Sequence, residues 1–191
     1  EEICLDFTDF IETNPFNMLT IAVALKDFNK RYNNLKFIKR KANDGYMHYM
    51  GFYNICNIFD ERPRKENAYK TGQYISMTKI DLCTGSSFDA DYENIINESR
   101  KLSGMLNYDK RLSDYTQYCF REMIRNVYEH SGMDEVYVCA QYWPSYNLVE
   151  ISIVDNGCGV KSAMEKKFKG MSEEELLSLA LKPGISAESN H

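Results

Sequence analysis

The sequence predicts a mixed α/β protein, and two kinds of periodicity lead to that prediction. Apolar residues recur at three- and four-residue steps between Phe16 and Phe28, the spacing of an amphipathic or largely buried helix over residues 15–32. Alternating apolar residues mark two strands at 135–142 and 147–154, which a Trp-Pro-Ser-Tyr segment joins as a hairpin. Helical and strand patterns in one chain are typical of a sheet that is covered by helices.

The ends of several elements are marked by residues suited to them. Asn14 precedes Pro15, and proline is favoured at the first position of a helix. Gly132 suits the position just past a helix C-terminus, and Ser172 with Glu175 has the spacing of a capping box. We expect strands at 3–7, 35–38, 74–82, 135–142 and 147–154, and helices at 15–32, 44–52, 89–106, 112–130, 162–168 and 172–181.

Composition and charge argue against several classes of protein. The 191 residues are 43% hydrophobic and 27% charged, as is typical of a globular chain. The net charge of −5 disfavours nucleic acid as the main ligand, because proteins that bind its backbone usually have a basic excess. No apolar run approaches the ~20 residues of a membrane span, and no signal peptide is visible. We therefore expect a cytoplasmic protein without a membrane partner, with its six cysteines reduced in a bacterial-type cytosol.

A turn-rich segment, Cys83-Thr84-Gly85-Ser86-Ser87, is the best candidate for a domain boundary. The sequence therefore predicts an N-terminal α/β module over residues 1–85 and a second domain over residues 86–191.

Three polar residues spaced by four, Glu122, Asn126 and His130, fall on one face of the predicted helix 112–130. An amide oxygen such as that of Asn126 can bind Mg²⁺, which favours oxygen ligands. A carboxylate one turn away can orient or deprotonate a water molecule that faces a phosphate. Taken alone, this spacing is weak, because polar residues four apart usually form a solvated helix face.

A second motif, Asp155-Asn156-Gly157-Cys158-Gly159, follows a strongly apolar strand. A carboxylate at a strand end can accept a hydrogen bond from an exocyclic amine. Two glycines at alternate positions let the backbone turn sharply and approach a planar ligand. An ordinary strand-to-helix turn favours the same residues, so this motif alone is also compatible with a structural role.

Together, the two motifs resemble a known pair. The segment 122–131 resembles the N-box of the GHKL ATPases (gyrase, the heat-shock chaperone, histidine kinases and MutL), and the segment 155–160 resembles their G1 box. The likeness is greatest to the ATP-binding domain of bacterial anti-sigma-factor serine kinases. It covers about residues 88–191 and implies a GHKL or Bergerat-type two-layer sandwich, a mixed sheet with helices on one face.

The resemblance also implies roles for individual residues. Asp155 would contact the adenine amino group of ATP or ADP, with Gly157 and Gly159 shaping the pocket. Asn126 would ligate Mg²⁺ on the phosphates, and Glu122 would be the general base or would orient water. His130 would lie near the nucleotide or cap the end of its helix.

Two features depart from the family pattern. Many histidine kinases have a lysine three residues after the N-box asparagine, whereas this chain has Glu129, so a phosphate contact would come from elsewhere, with Arg125 as a candidate. No second glycine box of GxGxGL type is present. The segment Lys182 to Ser186 could approach an ATP lid, and we expect the chain to stop within or just before that lid.

Residues 1–83 resemble the STAS modules of anti-anti-sigma type more weakly, with a family-specific extension as the alternative. The leading functional prediction is nucleotide-dependent control of a protein partner, a STAS-type or sigma-factor-like regulator, with slow ATP hydrolysis or phosphoryl transfer to Ser/Thr. Two alternatives stay open: an ATP-driven clamp that dimerises as in the MutL branch, and a nucleotide-free interaction scaffold. The sequence does not decide whether the chain is a Mg²⁺-dependent ATPase, a protein kinase or neither, or whether it forms a homodimer.

Overall fold

The structure, a computed structural model of the chain, describes residues 3–7, 14–32, 35–39, 45–56, 72–106, 108–183 and 185. Within these ranges the protein is mixed α/β, as expected. The strands are β1 (Ile3–Asp6), β2 (Leu35–Lys39), β3 (Tyr74–Asp81), β4 (Glu135–Trp143) and β5 (Leu148–Val154). The helices are α1 (Pro15–Tyr32), α2 (Gly45–Tyr49), α3 (Phe52–Cys56), α4 (Phe88–Ser103), α5 (Lys110–His130), α6 (Gly159–Glu165) and α7 (Glu173–Ala180). None of the described helices is both long enough and apolar enough to cross a membrane.

Local capping explains why two helices begin where the sequence predicts. The side-chain oxygen of Asn14 accepts a hydrogen bond from the Asn17 N–H at 2.9 Å, and α1 begins at the next residue, Pro15. Ser172 and Glu175 form the expected reciprocal capping box at the start of α7. Both contacts satisfy N–H groups that have no partner inside the helix.

The short helix expected at 44–52, with its end at Gly51, is present as α2, which ends at Tyr49; the chain turns at Gly51 and continues as α3, which the sequence did not predict. Gly51 has φ +79°, and a Cβ there would lie 3.2 Å from the backbone oxygen of Met77. The turn is fixed to the sheet by the Met77 N–H, which donates to the Met50 carbonyl at 2.7 Å. A glycine in the left-handed region therefore allows α2 and α3 to pack closely on β3.

The main sheet is antiparallel and has the strand order β3-β4-β5. β1 and β2 pair in parallel as a separate two-stranded sheet, with α1 as the connection between them. β3 lies before the boundary expected at residue 85, yet it pairs with β4 over Ile80↔Val136 and Thr78↔Val138. One sheet therefore contains strands from both predicted parts of the chain.

Helices cover both faces of the main sheet, which is antiparallel in the described residues where the two-layer sandwich expected for residues 86–191 has a mixed sheet. The GHKL-type sandwich stays a prediction. On one face, Val136, Val138 and Ala140 pack against α4 and α5. On the other face, Tyr137 and Cys139 pack against α1 and α3. Five consecutive residues of β4, at positions 136–140, are apolar and buried, a pattern typical of strands covered on both sides.

Polar contacts fix α1 over the sheet. The Lys26 ammonium lies 3.0 Å from the Glu135 carboxylate and 4.4 Å from the centre of the Tyr137 ring. The Tyr137 hydroxyl donates to the same Glu135 oxygen, at 2.5 Å. Lys26 thus connects the middle of α1 to the first residues of β4.

On the opposite face, Asp91 connects α4 to α5 and to the turn before α4. Its carboxylate accepts hydrogen bonds from the N–H and hydroxyl of Thr84, at 2.5 and 2.7 Å, and from the Tyr128 hydroxyl at 3.1 Å. The hydrogen bonds from Thr84, with that from Tyr128, lower the pKa of Asp91 below its usual value. The ionised form is thus the one that the folded protein stabilises.

We expect Asp91→Asn to lower the free energy of unfolding, and the loss to depend on pH. Because the folded pKa is below the unfolded one, the carboxylate stabilises the protein above about pH 4 and this contribution disappears as pH falls through the folded pKa. Urea unfolding at pH 7 and pH 3 measures the effect. Asp114→Asn, at an exposed position of α5, is the control; an equal loss for Asp91→Asn at both pH values would contradict the prediction.

Candidate functional site

The end of α5 meets the loop that follows β5, and this contact brings the two sequence motifs together. The Cys158 N–H donates to the Ser131 carbonyl at 3.0 Å. The Cys158 thiol donates to the His130 carbonyl, with 3.3 Å between Sγ and the oxygen. These carbonyls lie at the end of α5, where backbone carbonyls have no hydrogen-bond donor within the helix. The loop therefore supplies the donors that the end of α5 needs.

Gly157 is the residue that permits this close approach. A Cβ at this position would lie 2.4 Å from the Cβ of Ser131 and 2.6 Å from its carbonyl oxygen. Real Cβ contacts are not that short, and the Ser131 backbone cannot move without displacing the end of α5. The first glycine of the motif is therefore required by packing, independently of any ligand.

Asp155 shapes the same loop through its side chain. Its Oδ1 accepts a hydrogen bond from the Gly157 N–H at 2.8 Å, the pattern by which an aspartate stabilises a tight turn. The residue is half-buried, and within the described ranges its Oδ2 accepts no hydrogen bond. One oxygen is thus held by the loop, and the other can accept a hydrogen bond from a ligand.

The second glycine of the motif begins α6 three residues earlier than expected. Gly159 has φ +74° and no atom within 4 Å of the position that a Cβ would occupy. It provides the turn from the loop into the helix and leaves open space beside it.

The three polar residues of α5 lie on the accessible side of the helix. Asn126 is exposed, and the side chains of Glu122 and His130 retain 29% and 24% of their accessible surface. The opposite side of the helix is buried at Phe120, Ile124 and Val127. Met123 is half exposed.

Glu122 is ion-paired to two arginines. Its Oε1 accepts from Arg121, with nitrogen–oxygen distances of 3.0 Å to Nε and 2.9 Å to Nη2. Its Oε2 lies 3.6 Å from Arg125 Nη1. Arg125 is also ion-paired to Glu129, with 3.0 Å between Nε and Oε1. The cation suggested by the sequence as a phosphate contact therefore lies between two carboxylates of its own helix.

Arg121, Glu129 and Ser131 are the residues of this region to which sequence reasoning gave no role. Opposite charges three and four apart at Glu122, Arg125 and Glu129 are a helical ion-pair signal that could have found the network. Nothing local marks Ser131, because its contact with Gly157 depends on how β5 returns the chain to α5.

The structure joins the two motifs through backbone contacts. In the described residues no hydrogen bond links the Asn126 and Asp155 side chains, and Glu122 is paired with arginines rather than with the glycine loop. Gly184 and Ser186, in the segment predicted to approach a lid, lie outside the described residues.

Asn126 is the residue of this region that could contribute an oxygen ligand to Mg²⁺. No cluster of three or more His, Cys, Asp or Glu side chains that could hold a metal ion occurs in the part of the chain that the structure describes. Mg²⁺ at phosphate sites usually keeps several waters and takes only one or two protein oxygens, so the exposed amide of Asn126 is an adequate protein ligand.

No protein-family model matches the chain, and neither a curated protein nor a solved structure matches it significantly.

We expect Gly157→Ala to destabilise the protein by about 1–3 kcal/mol, the usual cost of inserting a methyl group into a packed position. The physical reason is the 2.4 Å approach to the Ser131 Cβ. Urea unfolding measures the change. Gly45→Ala is the matched control, because a Cβ at Gly45 would have no atom within 4 Å. Equal stability of the two variants would show that the loop does not pack against α5 as described.

Proposed function

We propose that the chain binds Mg·ATP or Mg·ADP between α5 and the glycine loop after β5, as a regulatory protein of the GHKL type. The observation on which the proposal depends is the contact of Gly157 and Cys158 with Ser131. It supports the proposal because two motifs that are far apart in the sequence meet at one end of α5. That is the juxtaposition required of a site that uses both motifs.

In this proposal Asp155 recognises the adenine base. The Gly157 N–H holds Oδ1, which orients the carboxylate, and Oδ2 accepts a hydrogen bond from the exocyclic amino group. Guanine has a carbonyl at the equivalent position, which would face the carboxylate as a second acceptor. The arrangement therefore favours adenine over guanine nucleotides.

Asn126 and Glu122 act at the phosphate end. The Asn126 amide oxygen is the protein ligand for Mg²⁺, which neutralises charge on the phosphates. Glu122, one turn away on the same face, orients the attacking water or accepts its proton. Its pairing with Arg121 and Arg125 restricts the side chain to one region of the helix surface, which favours a fixed direction of attack.

The biological role proposed from the resemblance is control of a protein partner, either a STAS-type or a sigma-factor-like regulator. Nucleotide binding would order the lid that the segment Lys182 to Ser186 approaches, and the ordered lid would engage the partner. Slow hydrolysis or phosphoryl transfer to Ser/Thr would end the signal. A chain that binds no nucleotide would instead be the interaction scaffold.

We expect Mg·ATP and Mg·ADP to protect Cys158 from alkylation, with GTP giving little protection. Cys158 is exposed and lies between the two glycines, so a nucleotide in the site would cover it. Iodoacetamide labelling followed by peptide mass spectrometry measures the rate at each thiol. Cys119 is the internal control, because it is exposed on α5 before the polar residues.

The matched variants for this experiment are Asp155→Asn and Asp114→Asn. Asp155→Asn should raise the nucleotide concentration needed for protection about tenfold or more, because the loss of one charge-assisted hydrogen bond weakens binding by about that factor. Asp114→Asn should leave it unchanged. Labelling of Cys158 at the same rate with and without adenine nucleotides would exclude the proposed site.

If the chain hydrolyses ATP, Glu122→Gln should reduce phosphate release by about 10²-fold or more, while the nucleotide concentration that protects Cys158 changes little. The reason is that general-base catalysis typically contributes about 10²–10⁴-fold, and that Gln retains the shape of the side chain without its basicity. Glu93→Gln, an exposed substitution on α4, is the control. Equal rates for the wild type and Glu122→Gln would remove Glu122 from this role.

A further inference from the structure

We infer that Glu129 is a positioning residue of the proposed ATP site, which holds Arg125 and, through it, the carboxylate of Glu122. This inference rests on the proposed function. It assigns a role to a residue that touches neither motif glycine.

The contacts form a continuous series along one helix. Arg125 Nε lies 3.0 Å from Glu129 Oε1 as an ion pair, and Arg125 Nη1 lies 3.6 Å from Glu122 Oε2. The Arg125 guanidinium thus uses one edge for Glu129 and the other for Glu122. Because the guanidinium is planar and rigid, fixing the Nε edge also fixes the direction in which Nη1 points.

Burial makes Glu129 the fixed end of this series. Only 6% of its side chain is exposed, against 25% for Arg125 and 29% for Glu122. A buried carboxylate must keep its charged partners, because separating them would leave an uncompensated charge away from water. Arg125 is therefore held from the buried side, and the more accessible Glu122 is aligned against it.

Glu129 also reaches the third polar residue of the site. Its Oε2 lies 3.8 Å from His130 Nε2. The Glu129 carboxylate thus lies between Arg125 and His130. Arg125 faces Glu122, and the His130 carbonyl accepts a hydrogen bond from the Cys158 thiol. Removing its charge should alter the alignment of Glu122 without removing any group that contacts a nucleotide.

The test compares Glu129→Gln and Arg125→Lys with Asp27→Asn, which breaks an exposed i,i+4 ion pair on α1. We expect each of the first two variants to lower kcat for phosphate release about tenfold or more and to change the nucleotide protection of Cys158 less than about threefold, as for a misplaced catalytic group. Asp27→Asn should change neither. Arg125→Lys keeps the positive charge but loses the planar guanidinium that contacts both carboxylates. It therefore tests the inference even if Glu129→Gln folds poorly.

A double-mutant cycle separates positioning from general destabilisation. If Glu129 acts through Glu122, adding Glu129→Gln to Glu122→Gln should cause no further loss of kcat. Independent, additive losses would overturn the inference, as would full activity of Glu129→Gln. Wild-type protein that binds no nucleotide or releases no phosphate would overturn the proposed function, or its hydrolytic step, and this inference with it.

A readout without nucleotide tests the contact itself. In ¹⁵N spectra of the arginine side chains, rotation of the Arg125 guanidinium should be slow in the wild type and faster in Glu129→Gln, because the charged partner of the guanidinium is lost. Asp27→Asn should leave this rate unchanged. Equal rotation of the Arg125 guanidinium in the wild type and in Glu129→Gln would show that Glu129 does not hold it.

Discussion

The burial of β4 on both faces is the constraint on which the other elements depend. Residues 136–140 are all apolar and buried, so neither side of the strand can face water. Burial of a side chain such as that of Val136 or Val138 contributes about 1.5–3 kcal/mol. Helices α4 and α5 cover one face and α1 with α3 the other, so the sheet lies between the two hydrophobic clusters.

This double cover also positions the candidate site. β5 pairs with β4 along its whole length, from Trp143↔Leu148 to Tyr137↔Val154, so the loop after Val154 emerges at a fixed place. α5 is held over the same sheet by Phe120 and Ile124. Because both elements are packed on β4, the glycine loop meets the end of α5 at Ser131. The motif contact is therefore a consequence of sheet packing, which explains why flexible polar side chains are not needed to make it.

The sequence predicted the elements whose signals are local. The bounds of α1 follow from Asn14, Pro15 and a regular apolar spacing, and those of α7 follow from a capping box; the structure confirms both. The three polar positions of α5 could be placed on one accessible face for the same reason. Such signals depend on hydrogen bonds and on periodicity within a few residues. Tertiary packing did not change the local structure that they predict.

The features that were missed depend on contacts between distant segments. Helix α3 forms after the turn at Gly51 because its residues pack on β3, and the second covered face arises because α1 returns to β4. Tyr137 and Cys139 were the available signal for that second face, since an apolar residue at every position of a strand indicates cover on both sides. The burial of Glu129 was equally hidden, because a charged residue at that position of a helix reads as solvated unless the fold covers it.

The hydrogen bond from the Met77 N–H to the Met50 carbonyl has a consequence for how copies of the chain could associate. β3 is an outer strand of the main sheet, and outer strands can recruit a strand from another molecule. Here the strand is bulged between Ile75 and Thr78, and the Met77 N–H is already used by the α2–α3 turn. A strand added on that side would have to break this bond. Among the strands that the structure describes, β5 is the edge at which a second copy could extend the main sheet without breaking this bond, on the side of the loop that forms the site.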